Sequence, residues 1–273
     1  MKKLIPAVLV LVLIFSSCNK REAQEKDADK RLKHIEQLIA ENALNAAKIE
    51  IDSIHSLYPR LVSRRKIAAA LADTIVRRES ARTLAYCDSI LPLKQQEADS
   101  VQQNFRLEKN EKYQQFGSYI YKTQLTESNS TRVYLKAYVD ENADLYLISN
   151  YCGAKIEHTS IEVSANDVYA HTDTLAVSNA AYHSFNDAGS HWESLTFKNQ
   201  EDKGVTSFIA QNIGVRLKVT LSGKKPYIYY LNDGDKKAIA ETYHLWIVKK
   251  DVAQLQKEIK KAATKIEQIN KRK

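Results

Sequence analysis

Phe116-Gly117-Ser118-Tyr119-Ile120-Tyr121 marks the point at which the hydrophobic period of the chain changes. Before it, apolar residues recur at steps of three and four, the spacing of a helix face; after it they alternate or gather β-branched and aromatic side chains, as strands do. Thr131–Val139 and Asp144–Ser149 continue the strand pattern, with Asp140-Glu141-Asn142 as the turn between them. Further strands are expected near 155–163, 167–172, 192–197, 205–210, 214–221 and 226–231, and 177–190 reads as an irregular polar loop. Short strands joined by tight connections such as Ser222-Gly223-Lys224-Lys225 indicate an antiparallel sandwich or an open barrel over 116–233.

Working upstream, Leu32, Ile35, Leu38/Ile39, Ala43, Ala46/Ala47, Ile51, Ile54 and Leu57 predict one amphipathic helix. Pro59 ends it, since proline pushes the residue before it out of the helical region. Leu61, Ile67, Ala68, Leu71, Ile75 and Val76 stripe a second helix. A third should run over 79–114, kinked or divided at Pro92. Residues 18–31 are highly charged and read as a tether leading into the helical region 32–115. Working downstream, Asn232-Asp233-Gly234-Asp235 can cap a helix. Beyond it Leu245, Val248, Val252, Leu255, Ile259, Ala262, Ile266 and Ile269 form a heptad seam. A helix over 235–271 needs a partner for that seam, either the N-terminal helices of the same chain or a second copy. The expected fold class is therefore α+β: a helical, coiled-coil-like stalk with an inserted antiparallel β-sandwich-like domain.

Met1–Cys18 combines Lys2 and Lys3, an apolar run from Leu4 to Phe15, and Ser16-Ser17-Cys18. The run is shorter than the roughly 20 residues that span a bilayer. It resembles a bacterial lipoprotein signal, which implies removal of 1–17, acylation of Cys18 (palmitate among the chains) and a cell-envelope location. An ordinary secretory signal and an uncleaved anchor are the alternatives. Asn19-Lys20-Arg21 is not acidic, which favours the outer membrane facing the periplasm over surface display. The segment 39–75, with Ala46-Ala47, Ile51-Asp52-Ser53-Ile54 and Tyr58-Pro59, resembles one tetratricopeptide-like helix–turn–helix; no second copy follows at the repeat distance. Tyr86-Cys87-Asp88-Ser89-Ile90-Leu91-Pro92, Glu111-Lys112-Tyr113 and Asp235-Lys-Lys-Ala-Ile resemble a group of uncharacterised Gram-negative envelope lipoproteins, a resemblance that implies organisation and no chemistry.

The formal net charge of +8 is concentrated in Arg60–Arg82 and Lys249–Lys273. In an exported chain such basic faces would meet anionic lipid or an acidic partner rather than nucleic acid, unless they are simply solvated. Cys87 and Cys152 could pair in an oxidising compartment or stay as separate thiols. No Walker loop, dinucleotide fingerprint, nucleophile elbow or HExxH helix is present, and no cofactor is implied. The residues worth testing cluster in one stretch. Tyr182, Phe185, Asn186, Asp187, Trp192 and Glu193 set aromatic faces beside polar groups, as a sugar or peptide site requires; alternatively Phe185 and Trp192 plug the core. His183, Asp187 and His191 are weak metal candidates, their spacing being unspecific. The leading expectation is a non-enzymatic, membrane-anchored binding or scaffold protein whose β domain meets a protein, peptide or glycan, with a homo-oligomer through the C-terminal helix left open. The alternative is a hydrolase or metal-dependent enzyme acting on envelope polymers through 182–193.

Overall fold

The computed structural model describes residues 5–129, 131–187 and 189–272, with side chains from Arg21 onward except those of Thr126 and Asp187. Residues 1–4 and the side chains of the signal segment, with the Cys18 thiol, lie outside that description. The chain divides into two units, Met1–Asp88 with Lys257–Lys273, and Ser89–Gln256. Among the described residues, no helix is long and apolar enough to cross a membrane.

In the first unit, α1 (Ile5–Ala40), α2 (Leu44–Leu57) and the start of α3 (Val62–Gln102) enclose one core. Leu32, Ile35 and Ile39 of α1 meet Ala47, Ile51 and Ile54 of α2 and Ala68 and Ile75 of α3. The charged stretch expected as a tether over 18–31 is instead helical and part of α1, with Ala28 fully buried. Its charges have partners on the other helices. Tyr58 donates to Asp27, Arg64 holds Asp29 at 3.0 Å, and Arg31 reaches Glu50 at 3.0 Å. The single helix expected over 32–57 breaks at Asn42, which adopts φ 65°. Ala43 N–H donates to Leu38 C=O and Asn42 N–H to Ile39 C=O, the paired bonds of a Schellman stop. Arg78 and Arg82 of α3 close this stop, donating to the Ile39 carbonyl and the Asn42 side chain. Arg64, Arg78 and Arg82 of the basic run 60–82 are thus spent inside the unit. Pro92 sits within α3 without dividing it. The end of α5 (Asp233–Lys271) lies beside α3 in this unit, where Arg272 faces Asp73 at 3.7 Å.

In the second unit the β region begins a strand earlier than the expected boundary at 116. Phe105 and Leu107, within the helix expected over 79–114, belong to β1 (Phe105–Glu108), which pairs antiparallel with β2 (Ser118–Tyr121). Then come β3 (Tyr134–Asp140), β4 (Leu145–Gly153), β5 (Ser160–Ala165), β6 (Val168–His171), β7 (Tyr182–Asp187) and β8 (Ser190–Lys198). After α4 (Val205–Gln211) follow β9 (Lys218–Ser222) and β10 (Tyr227–Tyr230). Two antiparallel sheets result, ordered β1-β2-β3-β4-β8-β7 and β10-β9-β5-β6. Leu135, Ala137, Leu147, Leu195 and Phe197 of the first and Ile161, Val163, Val219 and Leu221 of the second share one core, as in a sandwich. The segment 205–210 is the helix α4, not a strand: the Asp202 carboxylate accepts from Gly204 N–H at 3.1 Å and Thr206 N–H at 2.8 Å, and so starts a helical turn. The segment 177–190 is not a loop throughout, because its second half is β7.

The helix α5 is fixed to the β unit at its first turn. Asp235 is buried and binds Arg132 through both oxygens, at 2.5 and 2.6 Å, while Gln124 and Asn232 donate to the same carboxylate. Ile239 enters the sandwich core, and Ala238 and Leu245 pack with Phe105 and Tyr121. Farther along, His244 meets Glu97 at 3.1 Å and Asp251 meets Lys94 at 3.2 Å, both on α3. The seam residues Val252, Leu255, Ile259 and Ile266 are only half-buried, whereas Leu245, Val248, Ala262 and Ile269 are buried.

Candidate functional site

The β7–β8 hairpin carries every candidate from 182 to 193, and its register sorts them. Opposed residues share a face, and successive residues alternate. Tyr182↔Leu195, Ser184↔Glu193 and Asn186↔His191 point one way, toward the second sheet; His183↔Ser194 and Phe185↔Trp192 point the other. The sequence grouped these residues as one site, and the structure makes two half-sites on opposite faces. His183 and His191 are on different faces, so the proposed metal set does not assemble. Among the described residues no cluster of three His, Cys, Asp or Glu could hold a metal. The Asp187 side chain lies outside the described residues.

The inner half-site is built around Glu193. Its Oε1 accepts from Ile156 N–H and Glu157 N–H, both at 2.8 Å, and Oε2 lies 2.9 Å from His158 N–H and 2.9 Å from His158 Nδ1. Both side chains are completely buried. Burial works to raise the carboxyl pKa, but the His158 side chain and the three backbone donors outweigh it and hold the group at about 2. Such a carboxylate is a fastener rather than a base: its lone pairs are taken, and it stays ionised. What it fastens is the segment 154–158, where Glu157 has φ 49°. Gly223 completes the grip, because a Cβ there would lie 2.5 Å from the Glu157 carbonyl oxygen and 2.6 Å from that of Ile156. Tyr151 and Tyr182 pack edge-on against the His158 ring. Sequence reading missed His158 and Tyr151, which lie far from 182–193 in the chain and join only through the β4–β8 register.

The outer half-site is open. The Phe185 and Trp192 rings are parallel, with an interplanar angle of 6° and centroids 6.0 Å apart, and Phe185 is 60% exposed. They do not plug the core. Cys152 is opposite Trp192 on the same face. Cys152 and Cys87 are both free thiols and form no disulfide. Along β4 that face continues through Asn150 and Ile148 to Tyr146, whose ring stacks on Tyr138 at 4.6 Å. Lys198 lies over Tyr146 at 5.5 Å and pairs with Asp144 at 2.7 Å. Trp246 is elsewhere: with Tyr243, Leu145 and Thr206 it lines a cavity of about 200 Å³ beside α4. No known protein family, curated protein or solved structure compared with the chain matches it.

Proposed function

We propose that the chain is a lipid-anchored protein of the bacterial envelope, attached through Cys18 in the outer membrane and facing the periplasm, that binds a partner without transforming it. The helical unit carries the anchor, and the β unit offers the outer face of its six-stranded sheet to a protein, peptide or glycan. One observation carries the binding reading: Phe185 and Trp192 lie parallel on the solvent side of an edge hairpin, while Glu193 is turned inward and saturated. A glycan suits this surface best. Flat rings flanked by His183, Ser194 and Asn150 match the apolar C–H face and polar rim of a sugar.

The W246F variant leaves Trp192 as the sole tryptophan reporter. Titration of lipid-free W246F protein with soluble peptidoglycan fragments should shift its emission saturably, and adding F185A should weaken the affinity about tenfold. Emission that does not change, or a response indifferent to F185A, overturns the reading. Anchoring is tested separately. Cells labelled with radioactive palmitate should transfer the label to the wild-type chain and not to C18S; equal labelling would remove the anchor.

A further inference from the structure

No slack separates the anchor from the helical unit. Under the lipid-anchored reading, on which this inference rests, the acylated residue is Cys18, and α1 runs without a break from Ile5 to Ala40. Arg21 comes three residues later, about 4.5 Å along a helix axis. Each headgroup layer of a bilayer is about 5–8 Å thick, so α1 keeps Arg21 at headgroup depth whatever its tilt. The α2–α3 turn lies at this same end of the unit. It shares with Arg21 a cavity of about 640 Å³, where Gln24, Leu57, Pro59 and Arg60 are also found, and Tyr58 ties it to α1 by donating to Asp27. We propose that the turn 57–62 is a second membrane contact, at which Arg60 and Arg21 receive the phosphates of anionic phospholipid and Leu57 and Val62 meet the acyl boundary.

Three features of the turn fit that partner. Tyr58 and Leu61 are turned inward, but Leu57 and Val62 are 53% and 59% exposed, and Pro59 and Arg60 are exposed between them. Apolar side chains beside a cation suit the boundary between headgroups and acyl chains better than open water. The cations also have donors to spare. Among the described residues, the Arg60 side chain has no hydrogen-bond or ion-pair partner, and Arg21 gives only its Nε to Glu25, at 3.2 Å. Their Nη groups are left for phosphate, which a guanidinium holds as a fork. Finally, no carboxylate is among the described residues lining the cavity, and the acids nearest in α1 are engaged. Asp27 accepts from Tyr58, Glu22 pairs with Lys26 at 2.8 Å, and Glu25 is shared between Arg21 and Arg64, the latter at 3.6 Å. The surface is therefore cationic where the anchor brings it against lipid, and the attachment raises the effective concentration of headgroup phosphate there above that of any soluble anion.

The test attaches the chain from Cys18 onward to vesicles through the Cys18 thiol and a maleimide lipid, with C152S so that the partly exposed Cys152 does not react. W192F and W246F remove both native tryptophans, and L57W or I49W supplies the reporter. On phosphatidylglycerol vesicles with brominated acyl chains, L57W emission should be quenched at least about threefold more than I49W emission, because the exposed Ile49 lies about 12 Å back along α2. Adding R60E to the L57W chain should shift the docking equilibrium at least about tenfold, read as lost quenching, and so should brominated phosphatidylcholine in place of phosphatidylglycerol. Should R60E fail to fold, R60Q and the lipid comparison decide. Equal quenching of the two reporters, L57W quenching undiminished by a folded Arg60 variant, or L57W quenching indifferent to lipid charge overturns the proposal. Because the lipid is attached chemically, the result is independent of whether cells acylate Cys18, which the palmitate experiment decides on its own.

Discussion

Glu193 is the residue on which the β unit depends most visibly, because one carboxylate satisfies three consecutive backbone N–H groups and a buried imidazole. Removing its charge leaves donors buried without full partners. E193Q should lower stability by roughly 2–4 kcal/mol, read as a shift in the urea midpoint. The pH dependence has a definite sign. The folded carboxyl titrates at about 2, below its usual 4.5, so the stabilisation is fully present above the unfolded value and is lost as pH falls toward 2. Over that window wild type should lose on the order of 3 kcal/mol through this group, and E193Q should lose less. Parallel acid titrations of the two proteins would contradict the assignment. Little of this was legible beforehand. Glu193 was singled out for its neighbours Trp192 and His191 in sequence, whereas its actual partners are the backbone of 156–158, brought to it by the pairing of β4 with β8.

At the scale of elements, the chain punctuates itself with short polar signals that apolar periodicity passes over. The period alone joins 32 to 57, since Leu38/Ile39 and Ala43 stay in step, but Asn42 tolerates a left-handed backbone and ends α1 there. N42A should cost about 1 kcal/mol, because alanine is strained at φ 65° and Arg82 loses its acceptor; N42G should cost less, since glycine keeps the backbone. Thermal unfolding of the two variants checks the order, and a less stable N42G would refute the cap. The same lesson applies at Val205-Thr206-Ser207-Phe208-Ile209. Its β-branched content suggests a strand, but the Asp202 carboxylate takes the Gly204 and Thr206 N–H groups at the start of a helix that buries Val205 and Ile209 four residues apart. In β7 the alternation was visible only after pairing, because an edge strand with one solvent face carries too few apolar residues to announce itself. The long C-terminal helix and the strands β3 and β4 were legible because their patterns are long and regular.

At the scale of the molecule, the first unit is assembled from both ends of the chain, and the second is continuous. A chain ending at Gln256 should therefore keep the cooperative unfolding of its β unit, followed by tyrosine near-ultraviolet dichroism, while its helical unit becomes protease-sensitive. Loss of both together would show that the two are one thermodynamic body. This arrangement also sets an order of events during synthesis. The β unit has all its parts as soon as Gln256 emerges, and it can close early. The helical unit, although its first residues emerge first, must wait with an unfinished face until Lys257–Lys273 arrives. During that interval its apolar stripe is what a chaperone would recognise, and a ribosome stalled soon after Gln256 would leave a folded β unit joined to an incomplete helical unit.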